Sequence, residues 1–81
     1  MATRADLAPD GQPFLRAIDA AASARGLAIE EGARIALAGA LMFAARVVVR
    51  GRDPAAFLAV AADIASVHGL DLADVLGMGV A

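Results

Sequence analysis

Eleven consecutive residues in the middle of the chain, Ile35 to Ala45, carry no polar side chain. They lie inside a longer segment, residues 29–50, whose spacing of apolar and charged positions predicts an α-helix. Glutamates near its start and arginines near its end suit the two poles of a helix dipole. A helix that is apolar around its whole circumference must be buried on every side, in protein or in lipid. We therefore expect this helix to be the centre of the fold.

Three further helices are predicted, over residues 12–25, 54–68 and 71–77. Pro13 and Pro54 occupy favoured first-turn positions, and Asp71 with Asp74 three residues later has the spacing of a capping box. Glycines follow the first three helices, as expected for helix C-termini. The expected core side of the first helix consists of Phe14, Leu15, Ile18, Ala21 and Ala22. That of the third consists of Phe57, Val60, Ala61, Ile64 and Val67.

The predicted fold class is therefore all-α, a small bundle of three main helices plus a short C-terminal helix in one domain over residues 12–81. Residues 1–11 are predicted to be a flexible arm, because Pro9 and Gly11 interrupt any regular element. A chain of 81 residues buries only about 60–65% of the surface that its unfolded form exposes. With no cysteine there are no disulfides or thiolate metal ligands, so we expect oligomerisation to complete the core.

The apolar run allows three interpretations. A transmembrane helix needs about 20 apolar residues, whereas Arg34 and Arg46 bracket eleven. Burial within a single subunit is the second interpretation. The third, which we prefer, is burial shared with a second subunit, since small residues let two helices approach closely. The same spacing of small residues also pairs helices in membranes. The predicted oligomer interface consists of Ala36, Gly39, Ala40, Phe43, Ala44 and Val47.

A short pattern occurs twice, in residues 22–29 and 65–72. Both read Ala-Ser-x-basic-Gly-Leu-x-aliphatic. They are either two instances of the same helix stop and restart, or a duplicated helix–turn–helix unit. The turn also resembles that of DNA-binding helix-turn-helix units, whose second helix offers Arg, Lys, Asn or Gln to the major groove. Here the following helices begin with Glu30 and Glu31 or with Asp71, whose carboxylates would face phosphates.

The charged residues point to no chemistry of their own. Seven arginines and nine carboxylates give a net charge of −2, which argues weakly against nucleic acid as the main partner. Arg46, Arg50 and Arg52 form the only basic cluster, which either complements a helix C-terminus or contacts an anion or acidic partner. His68 is expected to cap a helix. No spacing is typical of a nucleophile–base pair, a phosphate loop, a dinucleotide site or a metal motif, so no catalytic, cofactor-binding or metal-binding residue is predicted.

We therefore predict a small non-enzymatic helical interaction protein. It would act as a homo-oligomer, in the simplest case a dimer, or as an accessory subunit of a larger assembly. The alternatives are a helix-turn-helix-like nucleic-acid-binding regulator and a membrane-associated small protein. No cofactor or small-molecule substrate is expected. The first residues lack the apolar stretch of a signal peptide, so a cytoplasmic location is expected. The 23 alanines and the absence of lysine suit a GC-rich bacterial genome.

Overall fold

The computed structural model describes residues 9–77, which form four α-helices and a short 3-10 turn. Its helices are α1 (Gln12–Ala24), α2 (Glu31–Val49), α3 (Ala55–Val67) and α4 (Leu72–Leu76). The described residues contain no strand. The predicted fold class is confirmed: three main helices and a short fourth one. Each helix begins and ends within two residues of the predicted positions.

A short 3-10 turn, Pro9–Gly11, occupies the end of the predicted arm. Within it, the Asp10 carboxylate accepts two hydrogen bonds from the Arg46 guanidinium, at 3.0 Å from Nε and 3.1 Å from Nη2. This forked geometry orients the two groups strongly and attaches the start of the bundle to the last turns of α2. The rest of the predicted arm, residues 1–8, and the last four residues of the predicted domain lie outside the described residues.

Helix α2 is the centre of the bundle, and α1 and α3 both pack against it. Alanine supplies five of the twelve residues of the main core cluster, so the helices can approach closely. The predicted core side of α1 is confirmed, with Phe14 and Ala21 partly buried and the remaining three members buried. The core cluster consists of Leu15, Ile18, Ala22, Ile29, Leu37, Ala38, Ala40, Leu41, Ala61, Ala65, Leu70 and Val75.

The first three helices end with the same hydrogen-bond pattern. After α1, the Leu27 N–H donates to the Ala22 carbonyl at 2.9 Å and the Gly26 N–H donates to the Ser23 carbonyl at 3.1 Å. This is the Schellman arrangement, which requires a left-handed residue and therefore favours glycine. Gly51 and Gly69 occupy the equivalent positions after α2 and α3, both with positive φ.

This shared pattern favours one interpretation of the repeated Ala-Ser-x-basic-Gly-Leu sequence. The end of α2 has the same two hydrogen bonds around Gly51, although it lacks the Ala-Ser pair and the leucine. The backbone geometry therefore follows from the helix stop and does not require a duplication. The two similar turns also contact each other, because a Cβ at Gly69 would lie 3.6 Å from Leu27 Cδ1, and Arg25 pairs with Asp74.

The predicted core side of α3 is partly wrong. Val60 and Val67 are 52% and 80% exposed, whereas Ala61 and Ala65 are almost completely buried. The prediction followed the larger side chains, but α3 turns its alanines inward because small side chains allow a closer approach to the rest of the core. Two large valines are left on the outside as a result.

Candidate functional site

An exposed apolar surface lies across the outer sides of α2 and α3. The two helices are joined by a five-residue connection and have the most extensive helix contact in the bundle, so they run antiparallel. Each contributes one row of apolar residues at three- or four-residue spacing, which places the members of a row on one side of the helix. We call this surface the α2–α3 face. It consists of Ala36, Gly39, Phe43 and Val47 from α2, and Phe57, Val60, Ile64 and Val67 from α3.

Large side chains on this face are unusually exposed. Phe43, Val60 and Val67 expose 45%, 52% and 80% of their surface. Single exposed hydrophobic residues are normal, but contiguous apolar patches mark interaction surfaces. Phe43 and Phe57 join the two rows, because their rings stack with centroids 5.8 Å apart. The face is therefore one surface across two helices.

The six predicted interface residues fall into two layers. Ala36 and Phe43 are exposed, and Gly39 and Val47 are half-buried. Ala40 and Ala44 are 8% and 4% exposed and are buried within the subunit itself. The spacing of small residues does not show which alanines are buried and which are exposed, because alanine is common both in a core and in a contact between subunits.

Phe43 is held in a fixed orientation by neighbours on two sides. Its ring stacks on that of Phe57 at an interplanar angle of 28°, and the Arg46 guanidinium carbon lies 5.5 Å from its centroid. Arg46 is in turn held by the two hydrogen bonds that it donates to the Asp10 carboxylate. A preorganised aromatic side chain loses little conformational freedom on binding, which is the property of a good interface anchor.

Next to this protruding ring the face has a depression. A Cβ added at Gly39 would meet no atom within 4 Å, so the space above the α2 backbone is open there. Ala36, one helical turn earlier, is also small and exposed. The row on α2 therefore presents a notch at residues 36–39 and a knob at Phe43.

The three arginines predicted as a basic cluster have different surroundings. Arg46 is paired with Asp10, and their closest charged atoms are 2.9 Å apart. Arg50 and Arg52 are exposed, and neither forms an ion pair within the described residues. Arg46 and Arg50 line one cavity of about 390 Å³ together with Asp10. The structure therefore brings Arg46 and Arg50 to one site and leaves Arg52 outside the lining of that cavity.

A second cavity, also about 390 Å³, lies where the ends of α1, α2, α3 and α4 meet. Its walls are apolar and include Leu41, Val48, Leu58 and Leu76. No sequence pattern predicts this cavity, because its walls come from four helices whose relative placement local sequence does not reveal. The sequence indicates the cavity only through Val48 and Val49, two apolar residues that are not part of the predicted interface.

Other charged side chains among the described residues have structural contacts. Arg34 reaches across from α2 to Asp19 of α1, with Nη1 3.5 Å from Oδ1. His68 occupies the C-terminal cap position of α3. Between residues 9 and 77, no group of three or more His, Asp or Glu side chains is placed to hold a metal ion.

By length and composition alone, α2 could cross a membrane. The core helix of a soluble protein has the same properties, and six residues of α2 are buried against the rest of the chain. Comparison with known proteins adds no constraint on the candidate site, since no protein-family model, curated protein or solved structure matches the chain.

Proposed function

We propose that this chain is a non-enzymatic interaction protein whose α2–α3 face binds a second copy of the same chain. The observation that carries the proposal is the pairing of a notch at Gly39 with a preorganised knob at Phe43 on one exposed apolar helix row. Burying this face would remove three large, partly exposed side chains per copy from water. At about 25 cal/mol per Å² of apolar surface, such burial is the main favourable term in protein association.

The spacing of the knob and the notch suits a two-fold dimer. In such an interface, residue i of one copy contacts residue j of the other, and j contacts i. If the two α2 helices cross antiparallel with the axis beside Gly39, Phe43 of one copy lies opposite Ala36 of the second copy. Val47 of one copy then lies opposite Gly32 of the second copy. Within the α2 row, each large side chain would meet a small residue, and each pairing would occur twice.

The charges of α2 favour the same antiparallel arrangement. The first turn of α2 carries Glu31 and its last turn carries Arg46. An antiparallel partner brings the basic end of one helix near the acidic end of the other. The two helix dipoles then point in opposite directions, which is also favourable. A parallel pair would bring like charges together, which is unfavourable.

A single cysteine tests this arrangement directly, because the chain has none of its own. A disulfide requires Cα atoms within about 7 Å, and only residues near the two-fold axis meet their own copies that closely. Gly39→Cys should therefore give a covalent dimer under mild oxidation. Ala20→Cys, at an exposed alanine on α1, is the matched control: it should form the same non-covalent dimer but should not become covalently linked.

The cross-linking results distinguish the proposed interface from random collision, from an interface elsewhere on the chain and from a monomer. Equal, slow cross-linking of both cysteine variants would indicate random collision and would contradict the proposed face. Cross-linking of neither variant, in a chain that still forms dimers, would place the interface elsewhere. A folded chain that remains monomeric at all concentrations would leave a different protein as the partner, as for an accessory subunit, and would overturn the self-association proposal.

A further inference from the structure

We propose that the chain also binds the anion of a long-chain monocarboxylic acid. The site is a groove formed by the two cavities of about 390 Å³ described above, which share Phe14, Ala45 and Val49 as lining residues. The cavities are therefore adjacent, and we call them together the corner groove. None of its lining residues belongs to the α2–α3 face, so the apolar surfaces of the groove and of the proposed dimer are separate.

One half of the corner groove suits an alkyl chain. Its lining contains no charged side chain, and several of its apolar residues remain accessible to water. Val48, Val49 and Leu76 expose 54%, 87% and 36% of their surface. Covering them with methylene groups removes apolar surface of both ligand and protein from water, which favours binding. The cavity is also within the size range of small-molecule sites.

The other half supplies one positive charge. Arg46 and Asp10 neutralise each other through their forked hydrogen bonds. Arg50 lines the same cavity, and within the described residues its guanidinium has no ion-pair partner. A planar guanidinium matches a carboxylate through two parallel hydrogen bonds. Arg50, unpaired among residues 9–77 and beside an apolar cavity, therefore matches a ligand with one negative head group and a single alkyl chain.

Dodecanoate, kept below its micelle concentration, is the probe. Calorimetry should give saturable binding of one dodecanoate per chain. In methyl NMR spectra the resonances of Val48 and Val49 should shift, while those of Val60 and Val67 on the α2–α3 face should not. Octanoate should bind at least tenfold more weakly, because it buries four fewer methylene groups.

Three variants identify the site. Arg50→Gln should weaken dodecanoate binding about three- to fivefold, as expected for a solvent-accessible ion pair, while dodecanol should bind both proteins equally. Ala45→Trp places a large ring at the junction of the two cavities and should abolish binding. Ala20→Trp introduces the same ring at an exposed alanine on α1 and should leave binding unchanged. Because Ala45 is also exposed, both tryptophan variants should fold.

Several results would overturn the proposal. Equal affinity for dodecanoate and dodecanol in the unmodified chain would show that Arg50 does not bind the carboxylate. Shifts at Val60 or Val67 would move the ligand to the other face. Binding to anionic phospholipid vesicles without binding of monomeric dodecanoate would show that the groove contacts a membrane surface and does not bind a single fatty acid. A change in mass on Val49→Asp would mean that a second copy covers it.

Discussion

Replacing Gly39 by leucine should change subunit stability and assembly in opposite directions. Within the subunit, an added Cβ at this position meets nothing within 4 Å, so no clash opposes the new side chain. Glycine in a helix interior is about 0.5–1 kcal/mol less favourable than alanine, and leucine is close to alanine. The isolated subunit should therefore gain about 0.5–1 kcal/mol in free energy of unfolding.

The effect on assembly follows from the position of Gly39 beside the proposed two-fold axis. The leucine fills the notch that receives the partner helix, and each dimer contains two such changes. Forcing extra methylenes into a packed contact costs about 1–3 kcal/mol. Two copies therefore give about 2–6 kcal/mol, which raises the dimer dissociation constant at least about thirtyfold.

Urea unfolding followed by circular dichroism, repeated at several protein concentrations, separates the two effects, because dimer stability depends on concentration and subunit stability does not. Sedimentation gives the dissociation constant. Ala20→Leu on α1 is the control for added bulk and should leave the mass unchanged. If Gly39→Leu destabilises the subunit, the space beside Gly39 is not open in the folded subunit. If it leaves the dissociation constant unchanged, the proposed interface is refuted.

Three further predictions concern the fold. Leu41→Ala should lower the free energy of unfolding by about 2–5 kcal/mol, since Leu41 is 2% exposed; a loss below 1 kcal/mol in urea denaturation would contradict its place in the core. Gly69→Ala should cost about 1–2 kcal/mol, because φ is +81°, a left-handed conformation that alanine rarely adopts; unchanged thermal unfolding would contradict this helix end. Asp10→Asn should cost under about 1 kcal/mol, because the Asp10 and Arg46 side chains are 52% and 44% exposed, and a larger loss in the same assay would show a buried role.

Helix positions could be predicted from the sequence because their ends have strong local signals. Gly26, Gly51 and Gly69 adopt the left-handed conformation that few other residues tolerate, and the Asp71 carboxylate accepts the Ala73 N–H at 3.1 Å as an N-cap. These interactions lie within a few residues of each other along the chain. Local sequence is therefore sufficient to locate them.

Helix orientation was harder to predict. In α3 the inward side is set by how closely Ala61 and Ala65 allow the helix to pack, and this depends on α2 as much as on α3 itself. A rule that turns the largest side chains inward selects Val60 and Val67, which are exposed. In an alanine-rich helix, close backbone approach competes with burial of large side chains, and periodicity does not decide between them.

The candidate site was only partly predictable for the same reason. Phe43 and Gly39 could be identified from α2 alone, since both lie on one helix. The contribution of α3 and the corner groove depend on tertiary placement. Arg46 also pairs with Asp10, 36 positions earlier in the chain, and no spacing rule indicates that contact.

The mass of the unmodified chain in solution tests the central claim most directly. Sedimentation equilibrium from micromolar to submillimolar concentration should show a reversible change toward about 16 kDa, twice the 8.1 kDa of one chain. Phe43→Ala should shift this equilibrium toward the monomer, because it removes the knob. A helical, cooperatively folding species that stays at 8.1 kDa over the whole range would contradict the account.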